Sequence, residues 1–245
     1  MRLLVMSDLH LEFRSLQPPN PDLYDVVVLA GDVHTKGRSA AWASDQFHKP
    51  AVIVGGNHEL YGSSWNKVFA RLASDAKAHV HFLERSSVVL GGVRFVGCVG
   101  WTDFEATGNS GLAMLDARTR LNDYKYIRLE PEYRRITPEF IRRQAQQSRA
   151  WLHEEIAKPH YGRTVVVTHY PPLQRFVPTY GRPSHLKASF GNEWPEFLDL
   201  KIDVWVFGHT HHRVDETLNG IRFISNPRGY PMEQTQFNPE LVVQL

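Results

Sequence analysis

Apolar runs that stop abruptly at polar clusters recur along this chain. Leu3-Leu4-Val5-Met6 stops at Ser7-Asp8, Val26-Val27-Val28-Leu29-Ala30 at Gly31-Asp32, and Ala51-Val52-Ile53-Val54 at Gly55-Gly56-Asn57-His58-Glu59. Two later runs do the same, Thr164-Val165-Val166-Val167-Thr168 at His169 and Val204-Trp205-Val206-Phe207 at Gly208-His209. β-Branched runs without polar alternation predict strands covered on both faces. Where such strands end in polar crests, α/β sheets place their chemistry.

The intervening segments carry different periods. Residues 39–47 predict a short helix, and residues 63–78 an amphipathic one with Trp65, Val68, Phe69, Leu72 and Ala76 on its apolar side. Two apolar segments, 86–90 and 93–99, flank Gly91-Gly92 as a hairpin. Thr137-Pro138-Glu139 is a helix start, with an N-cap hydroxyl, proline in the first turn and an acid at the positive end of the dipole. Its stripe is Ile136, Phe140, Ala145, Trp151, Leu152 and Ile156. Arg142, Arg143 and Arg149 lie between these positions, as a solvated face or a basic docking surface. Residues 101–132 and 173–191 predict irregular loops, and 213–218, 221–225 and 241–244 predict β segments. No repeat or linker divides the sequence, so one domain is expected over residues 1–245.

Composition narrows the classes. A net charge of +2 and a pI near 8.7 are too mild to point to nucleic acid or an anionic membrane, though they suit an anionic substrate. The one cysteine, Cys98, can form no internal disulfide, so a reducing, cytoplasmic location is expected. The first apolar run is too short for a signal-peptide core or a membrane span. Nothing in the sequence specifies an oligomeric state.

The polar crests supply candidate metal ligands. Residues two apart in extended chain point the same way, so Asp8 and His10, and likewise His209 and His211, can each aim at one site. Asp8, His10, Asp32, Asn57, His169, His209 and His211 make seven candidate ligands, enough for two ions if one carboxylate bridges. Carboxylate and imidazole donors without thiolate suit two divalent ions among Mn, Fe, Zn and Ni, with Mn2+ the first choice in vitro. Metals paired about 3.5 to 4 Å apart activate water and clamp the oxygens of a displacement at phosphorus.

The set Asp-x-His, Gly-Asp, Gly-Asn-His-Glu, His and Gly-His-x-His, running from Asp8 to His211, resembles the calcineurin-like metallophosphoesterase family. The resemblance implies an α/β (α+β) fold, a four-layer αββα sandwich of two mixed β-sheets flanked by helices. It also implies a dinuclear centre, with Asp8, His10, Asp32 and His211 on one ion, Asp32, Asn57, His169 and His209 on the other, and Asp32 as the bridge. His58 matches the family's non-ligand histidine, which would donate a proton to the leaving group. Glu59 is expected to orient its neighbours.

The implied activity is hydrolysis of a small phosphomonoester or phosphodiester by a hydroxide activated between the metals. Cyclic-nucleotide or other nucleotide phosphodiesterase, protein phosphatase and a non-catalytic scaffold are alternatives. Protein Ser/Thr phosphatases carry Asp-Arg-Gly where this chain has Thr35-Lys36-Gly37, and an arginine where it has Gly55. Lipid A pathway pyrophosphatases carry arginine in place of His58. Secondary candidates for substrate contact are His34, Lys36, Tyr61, Trp101, Asp103, Arg118, Arg120, Arg228 and Tyr230. Among them Arg228, following a β segment, could return a guanidinium to a phosphate.

Overall fold

The computed structural model describes residues 1–179 and 185–245, so the middle of the loop expected at 173–191 lies outside them. The chain begins with β1 (Arg2–Met6), β2 (Val26–Ala30), α1 (Ser39–Gln46), β3 (Ala51–Val54), α2 (Trp65–Asp75) and β4 (Val80–Phe82). The expected hairpin follows as β5 (Ser86–Leu90) and β6 (Val93–Cys98). Next come α3 (Ser110–Arg120), α4 (Asp123–Tyr126), the short β7 (Arg128–Leu129) and β8 (Arg134–Arg135), and the long α5 (Pro138–Ala157). The last elements are β9 (Thr164–Thr168), β10 (Val204–Phe207), β11 (Val214–Leu218), β12 (Ile221–Ser225) and β13 (Val242–Gln244).

Two mixed sheets result. The first runs β13-β1-β2-β3-β4, parallel except for β13, and the second runs β11-β12-β10-β9-β6-β5 with antiparallel pairs at both edges. Strand alternation divides the apolar runs between layers. Leu3, Val5, Val28 and Val52 face Phe95, Val165, Val167 and Val206 across the space between the sheets. Leu4, Met6, Leu29 and Ile53 turn outward onto Ala43 and Phe47, at the end of α1. On the opposite outer face, Val96, Cys98, Val166 and Trp205 pack on Leu152 and Ile156 of α5. The expected sandwich of two mixed sheets flanked by helices is therefore the observed one. Cys98 is fully buried, and burial followed by nearby Glu84 pushes its thiol pKa up.

Thr137 caps α5 as expected, its hydroxyl accepting the Phe140 N–H at 3.3 Å. The buried stripe of that helix passes through Ile141, Ala145, Ser148, Leu152 and Ile156, with Phe140 and Trp151 only partly covered. Two arginines of its open face are engaged in ion pairs, Arg142 with Glu105 and Arg149 with Glu196 at 2.6 Å, and Arg143 is exposed. The loop expected at 101–132 is a correction, because α3 and α4 occupy much of it. No helix of the described residues is long and apolar enough to cross a membrane.

Candidate metal centre

All seven candidate ligands stand beyond the C-terminal ends of β1, β2, β3, β9 and β10, where the two sheets meet. Asp8, His10, Asp32, His209 and His211 adopt positive φ angles between 44° and 69°. Such left-handed backbone costs a non-glycine residue on the order of 1 kcal/mol and accumulates at functional sites. Gly56 and Gly208 permit the close approach: a side chain at Gly56 would strike the Asp32 carboxylate, and one at Gly208 the Asp8 carboxylate.

The side chains gather in three overlapping groups, Asp8-His10-His211, His10-Asp32-His58 and Asp32-His169-His209, with donor atoms in each group within 4.8 Å of one another. Asn57 joins the last group, its Oδ1 lying 3.1 Å from both His169 Nε2 and His209 Nδ1. One oxygen of each aspartate is tied to backbone. Asp8 Oδ1 accepts the His209 N–H at 2.9 Å, and Asp32 Oδ1 accepts the His58 N–H at 2.8 Å. The other oxygen is left for the cluster: Asp8 Oδ2 is buried without a partner, and Asp32 Oδ2 faces His169 Nε2 at 3.3 Å.

This donor set fits a pair of cations. His10 Nδ1 lies 3.1 Å from Glu12, and His211 Nδ1 lies 2.5 Å from Glu233. A carboxylate only accepts, so both imidazoles keep a proton on Nδ1 and turn Nε2 into the cluster. Those two Nε2 atoms face each other at 3.0 Å beside the unpartnered Asp8 oxygen. His169 repeats the pattern, with Nδ1 at 2.9 Å from the Ala30 carbonyl and Nε2 turned to Asn57 and Asp32. Imidazole nitrogens and carboxylate oxygens converging in this way are donors suited to a cation. Burial alone would lower the His169 pKa, but Asp32 outweighs it and raises it to about 10. Burial would raise the Asp32 pKa, and the surrounding histidines instead hold it well below the usual carboxylate range. His209 is pushed well down by burial and then by His169.

His58 stands beside this cluster. Its Nδ1 is 3.5 Å from Glu12 Oε1, its Nε2 is 3.0 Å from the Tyr230 hydroxyl, and its ring stacks on Tyr61 with centroids 4.2 Å apart. Burial works against its charge, yet Asp32 and Glu12 prevail and raise its pKa to about 9. Glu12 itself is held down to about 2, burial opposing and its hydrogen bonds to His10 and His58 winning. Glu59 is fully buried and turns away from the ligands, accepting N–H groups of Asp32, Val33 and Gly56 at 3.0, 2.8 and 2.6 Å and the Ser39 hydroxyl at 2.7 Å. It fastens the turn after β2 to the turn after β3.

Three carboxylates outside the expected set complete the site. Glu12 and Glu233 fix His10 and His211, and Asp123 accepts the Asn57 side-chain N–H at 2.9 Å and the Tyr61 hydroxyl at 2.5 Å. Glu12 carries no alternation signal, because the left-handed backbone at Asp8 and His10 and the turn after them break the extended spacing that the sequence suggested. Asp123 and Glu233 carry none either.

The secondary candidates divide. Tyr61, Arg120 and Tyr230 line a cleft of about 240 Å³ over the cluster. Arg228 is a correction: its guanidinium points away, donating to the carbonyls of Leu9, Arg14 and Ser15 at 3.2, 2.8 and 2.7 Å. That arrangement braces the loop after β1. Trp101 is buried between Trp65 and Tyr170, and Asp103 accepts the Trp194 indole N–H at 2.8 Å. Both are structural. His34 lies 3.9 Å from Glu12, whereas Lys36 and Arg118 are exposed.

Comparison with known proteins agrees with this geometry. A family model described as calcineurin-like phosphoesterase matches residues 1–213. An uncharacterised protein of Acanthamoeba polyphaga mimivirus is 23% identical over 279 residues, covering 100% of this chain and 97% of its own. The crystal structure of phosphopantetheinyl hydrolase from Mycobacterium tuberculosis superposes with a TM-score of 0.73 at 20% identity, over 94% of this chain and 89% of that one. A Thermus thermophilus protein, TT1561, gives a TM-score of 0.54 at 13% identity, over 92% and 88%.

Proposed function

The chain belongs to the calcineurin-like phosphoesterase family, and from that premise we propose that it hydrolyses a small phosphate ester at two divalent cations, with His58 as proton donor. Asp8, His10, Asp32 and His211 would hold one ion and Asp32, Asn57, His169 and His209 the other. The observation that carries the reading is the pair of Nε2 atoms on His10 and His211 that converge at 3.0 Å beside an unpartnered Asp8 oxygen. When bound, such ions polarise phosphoryl oxygens and acidify a water for in-line attack.

The chain's own residues supply the rest. Glu12 and Tyr61 hold the His58 ring, one by its Nδ1 edge and the other by its face, so that Nε2 is presented toward the cleft. His58 Nε2, 3.0 Å from the Tyr230 hydroxyl, stands at the cleft, where it can deliver a proton to a departing alkoxide. Glu59 keeps Asp32 and His58 in fixed relation through the backbone. Mn2+ is the first metal to supply, with Fe, Zn and Ni compatible with the same donors.

The test loads the protein with Mn2+ and compares a phosphomonoester, a phosphodiester, nucleotides and a phosphopantetheinyl ester, the last suggested by the likeness to phosphopantetheinyl hydrolase. Absence of hydrolysis across this panel, with two metals bound, would refute the proposal. His58→Ala should retain both metals and lose turnover by about 10²- to 10⁴-fold, most for poor leaving groups. Loss of metal in that variant would reassign His58 to a structural role.

A further inference from the structure

A cleft lies over the ligand cluster, and a second space adjoins it. The cleft of about 240 Å³ that holds His58 has the ligands Asp32, Asn57 and His209 in its lining, and Tyr61, Phe190 and Tyr230 stand among its walls. The second space, a groove of about 360 Å³, meets it at Thr210, His211 and Glu233, which line both spaces. Its remaining walls are polar and include Arg213, Gln234 and Gln236, with Arg213 Nη1 held by the Gln236 carbonyl at 3.0 Å. Gln234 and Gln236 come from the segment after β12, C-terminal to the last ligand motif. The same segment also contributes Tyr230 to the first space.

A phosphate seated at the ligands in the first cleft can extend one substituent along that cleft past His58 and a second past His211 into the groove. A monoester has one organic arm and would leave one of them unused; a diester has two. Resting on the phosphoesterase reading above, we propose that the substrate is a phosphodiester whose leaving arm occupies the aromatic cleft and whose retained arm, bearing hydroxyl or amide groups, lies in the polar groove beyond His211. His58 stands in the aromatic cleft, which decides the side on which the bond breaks. Oxygen from water bonds to phosphorus, and the P–O bond to the arm in the aromatic cleft breaks with its electron pair on the departing oxygen. That oxygen takes the His58 proton, and the proton released by the water returns through solvent to His58. The products are an alcohol from the aromatic cleft and a phosphomonoester of the polar arm.

Three esters with one leaving group separate the possibilities: p-nitrophenyl phosphate, methyl p-nitrophenyl phosphate and thymidine 5′-(p-nitrophenyl phosphate). They differ only in the retained arm, and p-nitrophenolate leaves without needing a proton. With Mn2+ bound, kcat/KM for the thymidine ester should exceed that for the methyl ester by about tenfold or more, the scale of a few well-placed contacts. It should also exceed that for the monoester. Gln234→Trp, which fills the groove, and Arg213→Ala should each bring the thymidine-to-methyl ratio toward one. Equal wild-type rates for the two diesters, or a faster monoester, would overturn the inference while leaving the phosphoesterase reading intact. An unchanged ratio in both folded variants would overturn it as well. Hydrolysis of none of the three, with two metals bound, would overturn the phosphoesterase reading itself. The wild-type ratio decides the matter even if a variant fails to fold.

Discussion

Asn57 can offer its oxygen to a cation only if its amide is the right way round. Asp123 settles the orientation, because a carboxylate accepts the Asn57 N–H at 2.9 Å and so directs Oδ1 to His169 and His209. Replacing Asp123 by asparagine substitutes a group that can turn either way, and Asn57 loses its constraint. Asp123→Asn should weaken binding of the cation proposed at Asp32, Asn57, His169 and His209 by about 10- to 100-fold, as loss of a ligand-orienting partner typically does. Calorimetric titration of the metal-free protein with Mn2+ reads this directly, and unchanged affinity would mean that Asn57 is oriented by something else. The seven candidate ligands were legible in the sequence because each stands within a few residues of the end of one of five apolar strands. Asp123 was not, since it reaches Asn57 from 66 residues away along a helix that bears no ligand motif. Arg228 shows the converse limit: the β segment before it was read correctly, but the direction of its guanidinium depends on carbonyls more than 200 residues distant.

At the level of elements, α5 ends on a buried cation. Arg94 of β6 is 6% exposed and donates to the carbonyls of Glu155, Ile156 and Lys158 at 3.0 to 3.1 Å, where a helix C-terminus leaves its acceptors unpaired. Arg94→Met keeps most of the volume and removes every donor, and it should cost about 2 kcal/mol of stability. Urea unfolding measures this, and a loss below about 0.5 kcal/mol would show that water replaces the guanidinium without penalty. The start of α5 was readable because a cap, a proline and an acid stand side by side. α3 escaped notice because it buries only Ala113 and Ala117, too thin a stripe for periodicity to register, although Asn109 caps it by accepting the Leu112 N–H at 3.1 Å. The strands were easy for the opposite reason, since a run buried on both faces needs no knowledge of its neighbours to be recognised.

For the whole molecule, the candidate ligands tie one sheet to the other. Asp8, His10, Asp32 and Asn57 follow strands of the first sheet, and His169, His209 and His211 follow strands of the second. Ions that bind both sets favour the assembled sandwich over any state in which the sheets part. Mn2+ at about 100 times its Kd should add about 2.7 kcal/mol per ion, and EDTA should reverse the gain. Differential scanning fluorimetry with and without metal reads the change, and an unaltered Tm would count against cation binding at this seam.

Cys98 lies on the other face of the second sheet, covered by Leu152 and Ile156 of α5 and far from solvent. Its thiol should therefore act as a clock for the lifting of that helix. A disulfide reagent added to the folded protein should react at a rate that plateaus as reagent concentration rises, the plateau being the opening rate itself. Fast labelling that stays proportional to reagent would instead reveal a packing layer more permeable than its side chains suggest.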